Sequence, residues 1–276
     1  MREGKTYGDG VSTSALSPLG KTLLTPLYAR AYAGDLLPEL GFIDQHAVAL
    51  IVRVHAERHE LLTDLSSVAG MVMRTMLFDQ LTREFTTRYP NALIVAAGVG
   101  LCARNLRLAA DMRSADWVGV DLPEVIALRG ELMPADPMPL VAASVGRPGF
   151  LDEVDVDGRP TLVLAEGVLP YLSPAEVRVF LTECTRLPVG SQIVADVFHP
   201  IVSTFAMHPI SWATGAPMRS GASSARDLAS TVPGLRVAGE HDFMERIGGI
   251  PELWAAWTRS ITWGGRLYTV AQLEIA

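Results

Sequence analysis

Ala92-Leu-Ile-Val-Ala-Ala-Gly-Val-Gly-Leu-Cys-Ala-Arg-Asn-Leu-Arg-Leu108 is the stretch on which the fold turns. Its opening run, Ala92 to Ala97, has the length and β-branched content of a buried strand. Gly98-Val-Gly100 then interrupts, and a helical stretch follows from about Leu101 to Met112. Closely spaced glycines between a strand and a helix bring bare backbone N–H groups and a helix N-terminus up to a ligand. In open α/β sheets this turn, at the carboxyl end of the first strand, is where nucleotide-like ligands dock.

Upstream, the first ninety residues read as helical, without strand-like alternation. The first dozen, rich in Gly, Ser and Thr, read as an arm. Lys21 to Gly34 is a short amphipathic helix closed by glycine. A second helix is expected over about Asp44 to Leu62, and a third from Thr63-Asp64 to Arg88, where Tyr89-Pro90 ends it. The third carries a stripe of Leu65, Ala69, Val72 and Met76, flanked by Met73, Leu77 and Leu81, wide enough to lie against a sheet.

Downstream, strand and helix alternate. Asp116–Asp121 is a second strand ending in an acid. Pro123 opens a helix at the position where its missing N–H costs nothing, and that helix runs to about Met133. Strands follow at Met138–Ala143, interrupted by Pro137 and Pro139, and at Thr161–Glu166. Ser173-Pro-Ala-Glu176 is a capping box for a helix burying Val177, Phe180, Leu181 and Cys184. Gln192–Phe198 is the fifth strand. Residues 199–221 show no period and read as a lid insertion. A helix at about 223–231 and strands at Arg236–His241 and Arg266–Leu273 complete the set. Alternation of this kind means a mostly parallel sheet with helices on both faces. The division expected is an N-terminal arm and helical lid over 1–90 and an α/β core over 91–276.

A chain of 276 residues with 49% hydrophobic content has ample material for one such core. Its formal charge of -7 argues against a nucleic-acid partner, which would want a basic face. Cys102 and Cys184 are too few for a disulfide framework or a cysteine metal cluster. No signal core opens the chain, and no apolar window reaches the length of a membrane span. The expectation is a soluble cytoplasmic protein that acts on a small molecule, without metal and without a membrane partner.

Gly98-Val-Gly-Leu-Cys-Ala103 satisfies the G-x-G-x-x-G/A pattern, and Asp121 lies at the spacing of a ribose-binding acid. A carboxylate there accepts both ribose hydroxyls. The turn alone does not separate a nicotinamide dehydrogenase from an S-adenosylmethionine enzyme. The separation comes from Asp121-Leu-Pro-Glu-Val-Ile-Ala-Leu128 together with Leu164-Ala-Glu-Gly-Val-Leu-Pro-Tyr-Leu172. These strings resemble the leucine carboxyl methyltransferase family, in particular its bacterial branch of polyketide O-methyltransferases. The resemblance runs from about Lys21, through Leu27-Tyr-Ala-Arg30 and Arg74–Phe85, to Asp196.

It implies a seven-stranded class I methyltransferase (Rossmann-like) sheet with an N-terminal helical lid, and S-adenosylmethionine as methyl donor. By that resemblance Asp121, with Leu122 beside it, holds the ribose. Gly98 and Gly100 face the methionine part, and Arg74 pairs with the cofactor carboxylate. Ser144 and Val145 sit where the family places its adenine contacts. Glu166 points at the cofactor amino group or the substrate, since a carboxylate closing an apolar strand is costly to bury unpaired. Tyr171 lines the substrate pocket. His199, after the fifth strand, is the candidate general base.

The turn departs from the family pattern Asn-Leu-Gly-x-Gly-Leu-Asp-Thr-Arg. Ala96, Cys102 and Ala103 replace its Asn, Asp and Thr, while Gly98, Gly100, Leu101 and Arg104 remain. Each hydrogen bond lost near a buried charge costs on the order of 1–3 kcal/mol. The altered turn keeps a second reading open, an isomerase or cyclase on the same fold that no longer transfers methyl groups. A nicotinamide dehydrogenase is disfavoured because Ala165-Glu-Gly-Val-Leu-Pro-Tyr171 has no counterpart there. His55 and His59 read as a solvated helix face rather than metal ligands, and His208 and His241 offer nothing specific. Cys102 reads as a small apolar substitute. Met207, Trp212 and Met218 suit an aromatic ligand or simply cover the core.

Overall fold

Strand β3 (Leu93–Ala97) is an interior strand of the main sheet. Its neighbours are β4 (Asp116–Asp121) and β6 (Thr161–Ala165), both parallel, with Leu93 opposite Asp116 on one side and Thr161 on the other. The computed structural model describes residues 10–55, 65–112, 114–204, 214–242 and 266–276. Strands β5 (Leu140–Ala142), β7 (Gln192–Phe198), β8 (Leu235–His241) and β9 (Tyr268–Ile275) complete a seven-stranded sheet of order β5-β4-β3-β6-β7-β9-β8. The strand pairs from β5 through β7 are parallel. β9 lies antiparallel between β7 and β8.

Both faces of β3, β6 and β7 are covered, and these strands are near-continuous apolar runs rather than alternating ones. Val95 and Ala97 of β3 point to a core closed by α7 (Pro174–Cys184) and α9 (Ala225–Ala229), including Phe180, Leu181 and Leu228. Ile94 points to the opposite core, against Phe78, Leu81 and Phe85 of α4 (Leu65–Arg88). The capping box at Ser173 forms as expected: its side chain accepts the Glu176 N–H, and Glu176 reaches back to the Ser173 N–H at 2.7 Å.

Before the sheet come α1 (Pro18–Lys21), α2 (Leu24–Leu36) and α3 (Gln45–Ile51). Ala29, Ala33 and Leu37 of this region pack on Val68, Ala69 and Val72 of α4. Leu24, Leu27 and Tyr28 pack on Leu101 of the glycine turn and on Leu128 and Leu132 of α6 (Pro123–Leu132). The N-terminal helices are therefore joined to the carboxyl end of the sheet through the turn itself.

Three expectations change. The helix expected over 44–62 ends at Ile51, and Val54–His55 forms a short strand, β2, paired in parallel with β1 (Val11–Ser12). So the first ninety residues are not wholly helical. Regular helix after the glycine turn is confined to α5 (Arg104–Arg107), because Ala103 offers no capping side chain and residues 108–111 close in turns. Within the insertion, α8 (Pro200–Thr204) follows β7, and 214–221 returns to the loop after β6, where Arg219 N–H donates to the Pro170 carbonyl at 2.7 Å. His59, Met207, His208 and Trp212 lie outside the described residues. Among the described residues, no helix is long and apolar enough to cross a membrane.

Candidate active site

The carboxyl ends of β3, β4, β5 and β6 open onto one cavity of about 650 Å³, roofed by α1, α2, α4 and the chain around α8. That volume lies within the usual range for small-molecule sites. Arg74, Gly98, Gly100, Asp121, Leu122, Ser144, Val145, Glu166 and Tyr171 all line it. The sequence spreads these groups over nearly a hundred positions, and the sheet topology brings them to one edge.

Gly98 and Gly100 have φ of 69° and 50°, the left-handed region that favours glycine. At Gly98 space is equally restrictive, because a Cβ there would stand 2.3 Å from Cγ2 of Val168. Asp121 closes the turn: Oδ2 accepts the Gly100 N–H and Oδ1 the Leu122 N–H, both at 2.7 Å. Burial pushes its pKa up against those two donors. Each oxygen keeps a lone pair for a further donor, as a ribose hydroxyl would supply. A glycine cradle, a carboxylate with spare acceptor capacity and a guanidinium on the same wall suit an adenosyl amino acid.

Glu166 does not stand alone at the end of β6. Oε1 accepts from Arg74 Nε at 3.1 Å and from Thr75 Oγ1 at 2.9 Å, and Oε2 accepts from Arg104 at 2.5 Å. Burial alone would raise its pKa, but Arg104 and Arg74 outweigh it and hold the carboxyl well below the usual range. Arg74 also donates to Asp196 and to the Tyr268 hydroxyl, both at 3.1 Å. Tyr268 in turn donates to Asp196, which accepts the Gly167 N–H as well. Asp196 lies fully buried on β7 and lines the cavity.

The charge sequence continues away from the cavity. Arg104 pairs with Asp79 at 2.6 Å, Asp79 with Arg107, Arg107 with Asp44, and Asp44 with Arg30. Desolvation opposes ionisation of Asp79, yet Arg104 and Arg107 lower its pKa. Sequence reasoning assigned no role to Asp196, Asp79 or Tyr268, and kept Arg104 only as a motif residue. For Asp196 the signal was available: an acid inside Gln192-Ile-Val-Ala-Asp-Val-Phe198 breaks an apolar strand just as Glu166 does.

Tyr171 sits on a short 3-10 turn, and burial pushes its phenol up to about 12, so it is a neutral hydroxyl at ordinary pH. His199 is the expected site residue that the structure does not bring in. It is absent from the cavity wall. Its backbone N–H donates to the Leu267 carbonyl at 2.8 Å, and its Nδ1 faces the Ile201 N–H at 3.3 Å at the start of α8. Burial lowers its pKa. Cys102 and Met218 do line the cavity, whereas His241 meets Gln272 on β9.

No family model matches the chain. It is 33% identical over 228 residues to the tetracenomycin polyketide synthesis O-methyltransferase TcmP of Streptomyces glaucescens, across 81% of this chain and 83% of that protein. It is 27% identical over 293 residues to the S-adenosyl-L-methionine-dependent methyltransferase dpfgK of Gibberella zeae, across 96% of this chain and 97% of that protein. Its fold is similar to the crystal structure of a DUF574 family protein from Streptomyces avermitilis, with a TM-score of 0.54 at 16% identity, over 90% of this chain and 97% of that one.

Proposed function

The chain belongs to the S-adenosylmethionine-dependent O-methyltransferase family that includes TcmP, and from that premise we propose that it methylates a carboxyl or hydroxyl oxygen of a small, polyketide-like acceptor. Its cofactor is S-adenosylmethionine. When bound, the cofactor supplies an electrophilic methyl group on a sulfonium, and the new oxygen–methyl bond forms as the sulfur–methyl bond breaks.

The chain's own residues then have the following work. Asp121 accepts the ribose hydroxyls, and Gly98 and Gly100 leave room for the methionine part beside the turn. Ser144 and Val145 form the adenine side, and Leu122 lies beside Asp121. Arg74 receives the carboxylate, and Glu166 takes the amino group with its remaining acceptor capacity. The acceptor molecule lies against Pro170, Phe198, Ile201 and Met218, which also line the cavity. Tyr171, neutral and facing that space, donates to or accepts from the acceptor oxygen. α1, α2, α4 and the chain around α8 act as covers that exclude water, and methyl transfer needs chiefly that exclusion and alignment. A cytoplasmic location and a small-molecule partner, rather than a nucleic acid, go with this reading.

One observation carries the assignment of the site: nine side chains and glycines chosen from motifs far apart in sequence line a single cavity. Calorimetry with S-adenosylhomocysteine on the wild type and Asp121→Ala, combined with the mass of an aromatic hydroxy acid incubated with S-adenosylmethionine, tests it. Binding weakened about tenfold or more in the variant and a gain of one methyl in the acceptor are expected. Equal binding in both proteins overturns the site. Rearrangement without mass gain favours the isomerase reading instead.

A further inference from the structure

Beside its glycines the cofactor turn carries Ala96, Cys102 and Ala103, which offer its backbone little side-chain hydrogen bonding. Its backbone is nevertheless held. Arg129 of α6, fully buried, donates from Nη1 to the carbonyls of Gly100 and Cys102, both at 2.9 Å. Its Nη2 pairs with Asp136 at 2.5 Å, and the other oxygen of Asp136 accepts from Asn105 at 2.6 Å and from the Met138 N–H at 3.1 Å. Gly100, Cys102, Asn105 and Met138 line the cavity, whereas Arg129 does not. It stands behind the turn.

We infer that Arg129 is a positioning residue for the cofactor, a brace supplied from α6 that fixes the glycine turn by its carbonyls. This rests on the reading of Gly98–Cys102 as the cofactor turn. Gly100 is held at both ends: its N–H donates to Asp121 and its carbonyl accepts from Arg129. The guanidinium thus sets the distance between the turn and the ribose acid. A planar fork reaches two carbonyls and a carboxylate at once, which a lysine ammonium on a flexible stem does not. A buried arginine is costly unless each of its partners is in place, and here two of the three are the turn's own backbone.

A buried ion pair kept only for stability would have the same appearance, so the test removes both charges together. In Arg129→Met/Asp136→Asn no unpaired charge remains. The brace predicts a protein that melts in one transition but binds S-adenosylhomocysteine about tenfold or more weakly, with the cofactor KM raised and kcat at saturating cofactor held. Arg129→Lys, which keeps a charge opposite Asp136, falls between that variant and the wild type. Should the double variant fail to fold, Arg129→Lys alone decides the matter by the same measurement. A Kd within about twofold of the wild type in a folded variant overturns the inference. Failure of the wild type itself to bind overturns the cofactor reading beneath it, so the two failures are distinguishable.

Discussion

On the proposed reading, cofactor affinity depends directly on Asp121. It accepts two backbone N–H groups and has acceptor capacity left over. Hydrogen bonds to a charged group are worth about 1.5–3 kcal/mol, so Asp121→Ala should weaken S-adenosylhomocysteine binding about tenfold to a hundredfold by calorimetry. Its melting temperature should fall little, because burial already disfavours the ionised carboxylate. Tyr171 and His199 separate in the same way. With its phenol pushed up to about 12, Tyr171 acts as a neutral hydroxyl. Tyr171→Phe should lower kcat/KM about tenfold without moving the pH profile below pH 10. His199→Ala should leave kcat/KM within about twofold, because the ring is turned to the Ile201 N–H and not to the cavity. A His199 variant that lost most activity would restore it as the base.

At the scale of elements, the turn after β3 is constrained from both sides. In Gly98→Ala a Cβ would meet Val168 at 2.3 Å in a backbone region with φ of 69°. The substitution should cost about 1–3 kcal/mol in chemical denaturation and abolish cofactor binding. Adding Val168→Ala should return part of the stability, and no recovery would show that the backbone strain alone matters. Local signals of this kind are readable in the chain itself. The strands Asp116–Asp121 and Gln192–Phe198 match their expected bounds, and the helix opened by Pro123 stops one residue short of the expected Met133. The failures fall where a local signal is weak. Past Ile51 no cap or glycine marks the helix end, and the pairing of Val54 with Val11 is a contact across more than forty residues.

Across the whole molecule, a line of alternating charges runs from Asp196 through Arg74, Glu166, Arg104, Asp79 and Arg107 to Asp44 and Arg30. It ties β6 and β7 to α4, α5 and α2. Both Glu166 and Asp79 have lowered pKa values in the folded protein. Their contribution to stability is therefore present above the unfolded carboxylate values, near 4, and is lost as pH falls below them. Asp121, with its pKa raised, works in the opposite sense, contributing below its unfolded value and losing that as pH rises. Glu176, held down by the Ser173 side-chain and backbone donors, joins Glu166 and Asp79, so with three carboxylates against one the melting temperature should drop as pH falls from about 5 to 3. Glu166→Gln should be less stable at neutral pH, with a shallower acid slope. An unchanged slope would remove Glu166 from the acid transition. Arg104→Met, leaving Asp79 and Glu166 short of a partner, should cost about 3–5 kcal/mol.

The amino-acid sequence by itself determined the run of strands that build the main sheet, the glycine turn with the acid that closes it, and nine of the residues that line the cavity. Those depend on periodicity, capping and short motifs, which act within a few residues of chain. Tertiary structure alone decided what each charge meets. The cross-chain ion pairs of Glu166, the place of Asp196 on the cavity wall and the tie of the His199 backbone to Leu267 depend on distances between elements that no local spacing encodes. The same holds for the turn within Ala92–Leu108. Its few polar side chains are visible in the sequence, but the arginine behind it comes from the next helix and becomes its neighbour only when the sheet closes.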